Sequence, residues 1–162
     1  MDRPLAEGVD DEHRAGVLLH RSGPGGVEVL LVHPGGPFWA KKDEGAWSIP
    51  KGECEPGEDP RARALIEFEE ELGTPLPDGA ALVELGTVKL KSGKTVVAFA
   101  CEGDLDAATI RSNTFEVEWP PRSGRRQAFP EVDRAGWFTP DDARRKLNPA
   151  QAVLVDRLLE RA

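Results

Sequence analysis

The stretch from Asp59 to Pro75, "DPRARALIEFEEELGTP", restricts the fold more than any other part of the chain. Asp59 suits a helix N-cap and Pro60 the first helical position, where its missing N–H costs nothing. Gly73 suits the C-cap, and Pro75 bars continuation. Between these stops Ala64, Leu65, Phe68 and Leu72 recur every three or four residues and form one apolar face. Such a helix has to lie against something. Its second half is crowded with charge: four of the five residues from Glu67 to Glu71 are glutamate. At 100° per residue Glu67, Glu70 and Glu71 share a sector and Glu69 lies elsewhere, with Phe68 and Leu72 expected on the opposite, buried side.

Three carboxylates on one sector repel one another. Each like-charge pair costs about 0.2–0.5 kcal/mol on an exposed helix, and more beside a partly buried cleft. Two arrangements relieve this. Water solvates the face, or a divalent cation with a preference for hard oxygen ligands, Mg²⁺ or Mn²⁺, sits against it. The preceding "IPKGECEPGE" reads as a Gly/Pro-rich loop, with Pro56-Gly57 as a tight turn and Gly52 permitting close backbone approach. A loop beside a carboxylate face suits an ion pocket.

Elsewhere "AGVLLHR" (15–21) and "VEVLLVH" (27–33) are apolar runs separated by "SGPGG" and predict two strands. "AWSIP" (46–50) predicts a short extended segment. "ALVELGTVKLKSGKTVVAFACEG" (81–103) predicts a hairpin turning at Ser92-Gly93. "NTFEVEWP" (113–120) and "RAGWF" (134–138) are further strands, with "PPRSGRRQAFPEV" as a loop between them. Thr139-Pro140 and Asn148-Pro149 open two closing helices. The 162 residues fit one domain over 13–162 behind a loose tail, 1–12. The start has no apolar signal segment and no run reaches membrane-span length, so the expected location is the cytoplasm. Cys54 and Cys101 are expected as free thiols, one in a loop and one in a strand. A net charge of -8 argues against an extended DNA or RNA surface, while leaving open a small anion bound through metal or local cations.

The spacing Gly52, five residues, Glu58, seven residues, "IEFEEELGT" resembles the Nudix box, G-x5-E-x7-R-E-U-x-E-E-x-G-U, with U a bulky apolar residue. Gly52, Glu58, Glu67, Phe68, Glu70, Glu71 and Gly73 match it. Ile66 stands where the box has arginine, and Thr74 where it has an apolar residue. The flanking strands and "FPEVDRAGWF" also look like the family. The resemblance implies an α/β fold, a Nudix-like α/β/α sandwich with a mixed β-sheet. It implies hydrolysis of nucleoside diphosphates linked to another moiety, with Mg²⁺ or Mn²⁺ as cofactor. Carried over residue by residue, Glu67, Glu70 and Glu71 are metal ligands, Glu58 supports the site or binds a further ion, and Gly52 offers its carbonyl. The family's arginine is taken to orient the acids. Arg63, four residues before Glu67, is the side chain placed to substitute for it.

Carboxylates repel a diphosphate unless a cation lies between them. A general base is also required, and the candidates are Glu67 and Glu131, ahead of Glu116 and Glu118. Lys51 is the leading phosphate contact. Arg122, Arg125 and Arg126 suit a polyphosphate tail, because guanidinium forks match phosphate oxygens. Trp39 and Phe38 suit stacking on a base or closing the core. The expected partner is a small nucleotide or polyphosphate, most plausibly a dinucleoside polyphosphate or a nucleoside triphosphate. The competing reading is a nucleotide sensor with weak or no turnover, which Ile66 favours.

Overall fold

A computed structural model describes residues 13–77 and 79–161; the expected tail over 1–12 lies outside the described residues. Its strands are β1 (His13–Gly23), β2 (Gly26–Pro34), β3 (Lys51–Cys54), β4 (Val83–Lys89), β5 (Thr95–Glu102), β6 (Thr114–Glu118), β7 (Arg126–Pro130) and β8 (Val132–Phe138). The α-helices are α1 (Pro60–Leu72), α2 (Pro140–Lys146) and α3 (Val153–Arg161).

The main sheet runs β4-β5-β1-β2-β8, with β3 pairing to β1. The β1–β5 pair is parallel and the others antiparallel, so the sheet is mixed as expected. Residues 15–19 of β1 and Val29–Val32 of β2 are all buried. That explains their continuous apolar runs: a central strand covered on both faces has no solvent side to alternate with. Ala15, Val17 and Leu19 pack with Phe68 and Leu72 of α1. Leu18, between them, packs on the other face with Ala143 of α2 and Leu154, Val155 and Leu158 of α3. Helices on both faces of a mixed sheet make the α/β sandwich.

Helix α1 starts and stops as its punctuation predicts. The Asp59 side chain accepts from the Arg61 N–H, Pro60 is the first helical residue, and Gly73 caps the C-terminus at φ 77°. The two closing helices start at Thr139 and Asn148 as read, although Asn148 caps a single 3₁₀ turn (Pro149–Gln151) before α3 begins. The hairpin closes at Gly93, whose φ of 96° suits glycine.

Three expectations need correction. Lys51–Cys54 is a strand, not part of a loop, because its backbone finds a partner in the first half of β1; Cys54 therefore ends a strand. Arg126–Pro130 is also a strand, paired antiparallel with β6 in a separate two-stranded ribbon. Leu65 does not face the core; it is exposed, and the buried arc of α1 is Ala64, Glu67, Phe68, Glu71 and Leu72. Glu67 and Glu71 thus lie within the packed side of the helix, not opposite it.

Candidate metal and phosphate site

The site begins where α1 leans on β3. Gly52 pairs with Ala15 and faces α1, and a Cβ on it would fall inside the Glu67 carboxylate. Glycine is needed here for space: it lets the helix carry a carboxylate down to the strand backbone. One turn further along, Glu71 accepts from the Lys51 N–H at 3.3 Å. Both glutamates are over nine-tenths buried as residues, while Glu70, one step around the helix, is exposed.

Burial works against ionisation in this cluster. It raises the Glu67 carboxyl, with the charge of Glu70 adding to the rise and Arg63 opposing it. It pushes the Glu71 carboxyl up to about 8, with Lys51 opposing and Glu67 and Glu131 adding. The Glu131 carboxyl is raised by burial and then by Glu70, against the pull of Arg14 and Lys51. The Glu131–Asn113–Glu70 backbone link brings an acid from far along the chain up to the helix acids. The arrangement opposes negative charge twice, by desolvation and by like-charge repulsion, and a hard cation removes both penalties. Among the described residues no three His, Cys, Asp or Glu side chains already converge on one ion position. The donor set, carboxylate oxygens beside the backbone of Gly52, nonetheless fits Mg²⁺ or Mn²⁺ in chemistry.

Arg63 holds the acids in order. Its Nε and Nη2 donate to Glu58 Oε2 at 2.9 and 2.7 Å, and its Nη1 donates to Glu67 Oε2 at 3.0 Å. The Glu55 N–H donates to the other Glu58 oxygen at 2.9 Å. Arg63 lowers the Glu58 carboxyl, and Glu58 in turn raises the guanidinium. Ile66, at the box's arginine position, is exposed and takes no part. The ion pair to the box glutamate comes from one turn earlier on the same helix.

Glu131 reaches the cluster from the β7–β8 connection. A ladder of backbone hydrogen bonds carries it there: Asn113 N–H to Glu70 O at 3.0 Å, Glu131 N–H to Asn113 O at 2.8 Å and Gly35 N–H to Glu131 O at 2.9 Å. The sequence reading passed over Asn113, and nothing local marks it, since both its contacts are long-range. The 36–45 loop is pinned by buried His33, whose Nε2 lies 2.6 Å from the Lys42 carbonyl oxygen and whose Nδ1 lies 2.9 Å from Asp133 Oδ1. That loop carries Trp39, partly exposed with Lys42 Nζ 5.2 Å from its ring, and Phe38, exposed and edge-on to Trp119 at 6.2 Å. Arg122 and Arg125 lie in the exposed turn of the β6–β7 ribbon, Arg122 at φ 62°. Arg126, on β7, pairs with Glu116 at 3.2 Å. Lys51, next to Gly52, meets Glu71 through its backbone N–H, while strand alternation turns its side chain to the sheet face away from α1. Trp47 is core, edge-on to His33 and Phe138.

The family model described as the NUDIX domain matches residues 12–158. The chain belongs to the Nudix family. By class it is a hydrolase of pyrophosphate bonds. Solved structures share the fold. A C. elegans Ap4A hydrolase binary complex superposes with a TM-score of 0.64 at 20% identity, covering 91% of this chain and 96% of that one. The NUDIX domain of Shewanella oneidensis NrtR, complexed with ADP ribose, gives 0.62 at 17% identity, with 99% of each chain covered. MutT from Aliivibrio salmonicida and Vibrio cholerae gives 0.54 at 16%, covering 93% and 98%. No curated protein matches this Nudix chain in sequence. Among the described residues no helix is long and apolar enough to cross a membrane.

Proposed function

We propose that this Nudix protein is a Mg²⁺- or Mn²⁺-dependent pyrophosphohydrolase acting on nucleotides, namely dinucleoside polyphosphates or nucleoside triphosphates. One observation carries the reading: Glu67, Glu71 and Glu131 are all raised by burial, and each is raised further by another acid of the same cluster. Glu67 and Glu71 are buried while Glu131 stands exposed beside them, and burying two carboxylates together destabilises the protein unless a cation completes them. Gly52, through its carbonyl, with Glu58, Glu67, Glu70 and Glu71, would hold the metal. When bound, it supplies positive charge against the phosphate oxygens and makes a neighbouring water more acidic.

The protein's own groups divide the remaining work. Glu131 takes the proton of the attacking water: it approaches from outside the helix, tied through Asn113 to the Glu70 backbone. Glu67 is the weaker candidate, since Arg63 occupies one of its oxygens. Arg63 keeps Glu58 and Glu67 oriented. Lys51 meets a phosphate, the ribbon arginines Arg122, Arg125 and Arg126 attract the rest of a polyphosphate, and Trp39 offers its ring to a base. The fold shared with structures named for Ap4A hydrolase and for an ADP-ribose complex is in keeping with a nucleotide substrate.

The test is product formation from a panel of nucleoside triphosphates, dinucleoside polyphosphates, nucleotide sugars and diphosphoinositol phosphates with Mg²⁺ or Mn²⁺. Glu71→Gln is expected to lower turnover by about 10²–10³-fold, the scale of losing one preorganised electrostatic group. The exposed Ile66 at the box's arginine position favours a second reading, a domain that binds nucleotides without turnover. Tight nucleotide binding with no product from any member of the panel would establish that alternative.

A further inference from the structure

His33 is a fully buried polar side chain that the proposed chemistry leaves without a task. It lies near the end of the β2–β8 ladder, where the register shifts. His33 pairs with Arg134 and Pro34 with Val132, so Asp133 is an extra residue, a β-bulge. The bulge brings the Asp133 carboxylate to 2.9 Å from His33 Nδ1. On the other side of the ring, Nε2 lies 2.6 Å from the Lys42 carbonyl oxygen. Trp47 packs edge-on to the imidazole at 5.2 Å, and the Arg134 guanidinium, over the Trp47 ring, lies 3.6 Å from Asp133. Both partners of the imidazole are therefore acceptors: a carbonyl oxygen, and a carboxylate that also pairs with Arg134. A neutral imidazole has one N–H, and in that form one of the two contacts would set lone pair against lone pair. Away from water, the ring satisfies both neighbours only by donating from both nitrogens.

The two acceptors belong to different parts of the site. Lys42 lies in the 36–45 loop that carries Trp39, and Asp133 stands just beyond Glu131. The same two segments also touch through their backbones. The Gly35 N–H donates to the Glu131 carbonyl oxygen at 2.9 Å, and a Cβ on Gly35 would fall on the Pro130 carbonyl oxygen. We propose that His33 is a positioning residue with two separable arms: Nε2 donates to hold the Trp39 loop, and Nδ1 donates to hold the Glu131 connection. The inference rests on the hydrolase reading only for the tasks of Trp39 and Glu131. His33 touches no substrate itself. It keeps the ring that meets a base and the acid that takes a proton in one fixed relation, which the chemistry requires to within about an ångström.

Asparagine and glutamine separate the arms, because their amide nitrogens stand where Nδ1 and Nε2 stand in histidine. His33→Asn keeps the arm to Asp133 and gives up the arm to Lys42. It is expected to raise KM about tenfold with kcat little changed. His33→Gln keeps the arm to Lys42 and is expected to lower kcat about tenfold with KM little changed. Amide hydrogen exchange, followed by mass spectrometry, reads the same split without turnover: faster exchange confined to 36–42 in His33→Asn, and to 131–133 in His33→Gln. Nitrogen NMR of the wild type at the assay pH should find a proton on each His33 ring nitrogen. Should a His33 variant fail to fold by circular dichroism, Asp133→Ala cuts the Nδ1 arm from its partly exposed end and carries the expectation for His33→Gln. A single ring N–H, exchange that rises in both segments alike, or kinetics unchanged in a folded variant overturns the two-armed role. Split exchange in a protein that hydrolyses no member of the substrate panel overturns the hydrolase reading and leaves His33 as the residue that holds the two segments.

Discussion

Two charged regions of the molecule are built in opposite ways. The acids of α1 sit against β3, where Gly52 leaves no room even for a methyl group and two of the glutamates are buried. The arginines of the β6–β7 ribbon stand in the open, where Arg126 pairs with the equally exposed Glu116. Exposed charge is satisfied by water and by weak local partners worth about 0–1 kcal/mol. Charge in a recess has no such outlet, so its cost remains until a ligand arrives. Density of like charge therefore says little about function by itself; whether the backbone forces that charge out of water says much more.

Four experiments probe this contrast. The largest effect is expected for Gly52→Ala, whose methyl group must displace the Glu67 carboxylate. Turnover should fall by about 10²-fold, the cost of misplacing a reacting group by roughly an ångström. Overpacking should also destabilise the fold by about 1–3 kcal/mol. A turnover close to wild type would show that the recess is looser than described.

Arg63→Ala comes next. It frees Glu58 and Glu67 together and should cost about 10-fold in metal-dependent turnover, the lower end for removing a group that orients metal ligands. Unchanged kinetics would mean that the acids need no orienting cation and that Ile66 is no deficit.

The third test is pH. Glu67 and Glu71 hold their protons in the fold at pH values where the unfolded chain, with carboxyls near 4.5, has released them. The native state then binds more protons than the unfolded state, so stability falls as pH rises from about 4.5 toward 8. In chelator, Tm should drop across that window, by about 2–4 °C for each kcal/mol lost in a chain of this size. Mn²⁺ should restore more at pH 8 than at pH 6, because the ligands are then already ionised. A Tm independent of pH in chelator would contradict the burial argument.

The smallest effect belongs to the open region. Arg125→Gln should raise KM no more than about threefold, a change that added salt erases, as for any screened surface contact. A tenfold effect that resists salt would show that the ribbon closes over the substrate and would dissolve the contrast.

How much of this was legible beforehand depends on the range of each signal. The ends of α1, the two central strands, the Gly93 turn and the starts of both closing helices all follow from caps, glycines and apolar runs, whose physics is settled by near neighbours. The box spacing is equally local, and it brought out Glu67, Glu70 and Glu71 as one group and Arg63 as a partner for Glu67. The β3 strand was hidden inside "IPKGECEPGE" because its partner, β1, lies well earlier in the chain. β7 was hidden because Arg126, Gln127 and Pro130, behind the Pro- and Arg-rich turn, look like a loop until β6 pairs with them. Periodicity placed Leu65 in the core and the carboxylates opposite it, since an apolar count cannot tell that Gly52 invites Glu67 inward in place of a leucine.

What the sequence by itself determined was the inventory: which residues form the acidic helix, where it begins and ends, and that it carries the spacing of the Nudix box. What only the tertiary structure decided was which charges lose their water. Glu67 settles into the space left by Gly52, Glu71 is buried against the Lys51 N–H, and Glu131 and Glu70, linked through Asn113, stay in water. These outcomes depend on pairings between segments far apart in the chain, and desolvation exists only once those segments have closed over the charge.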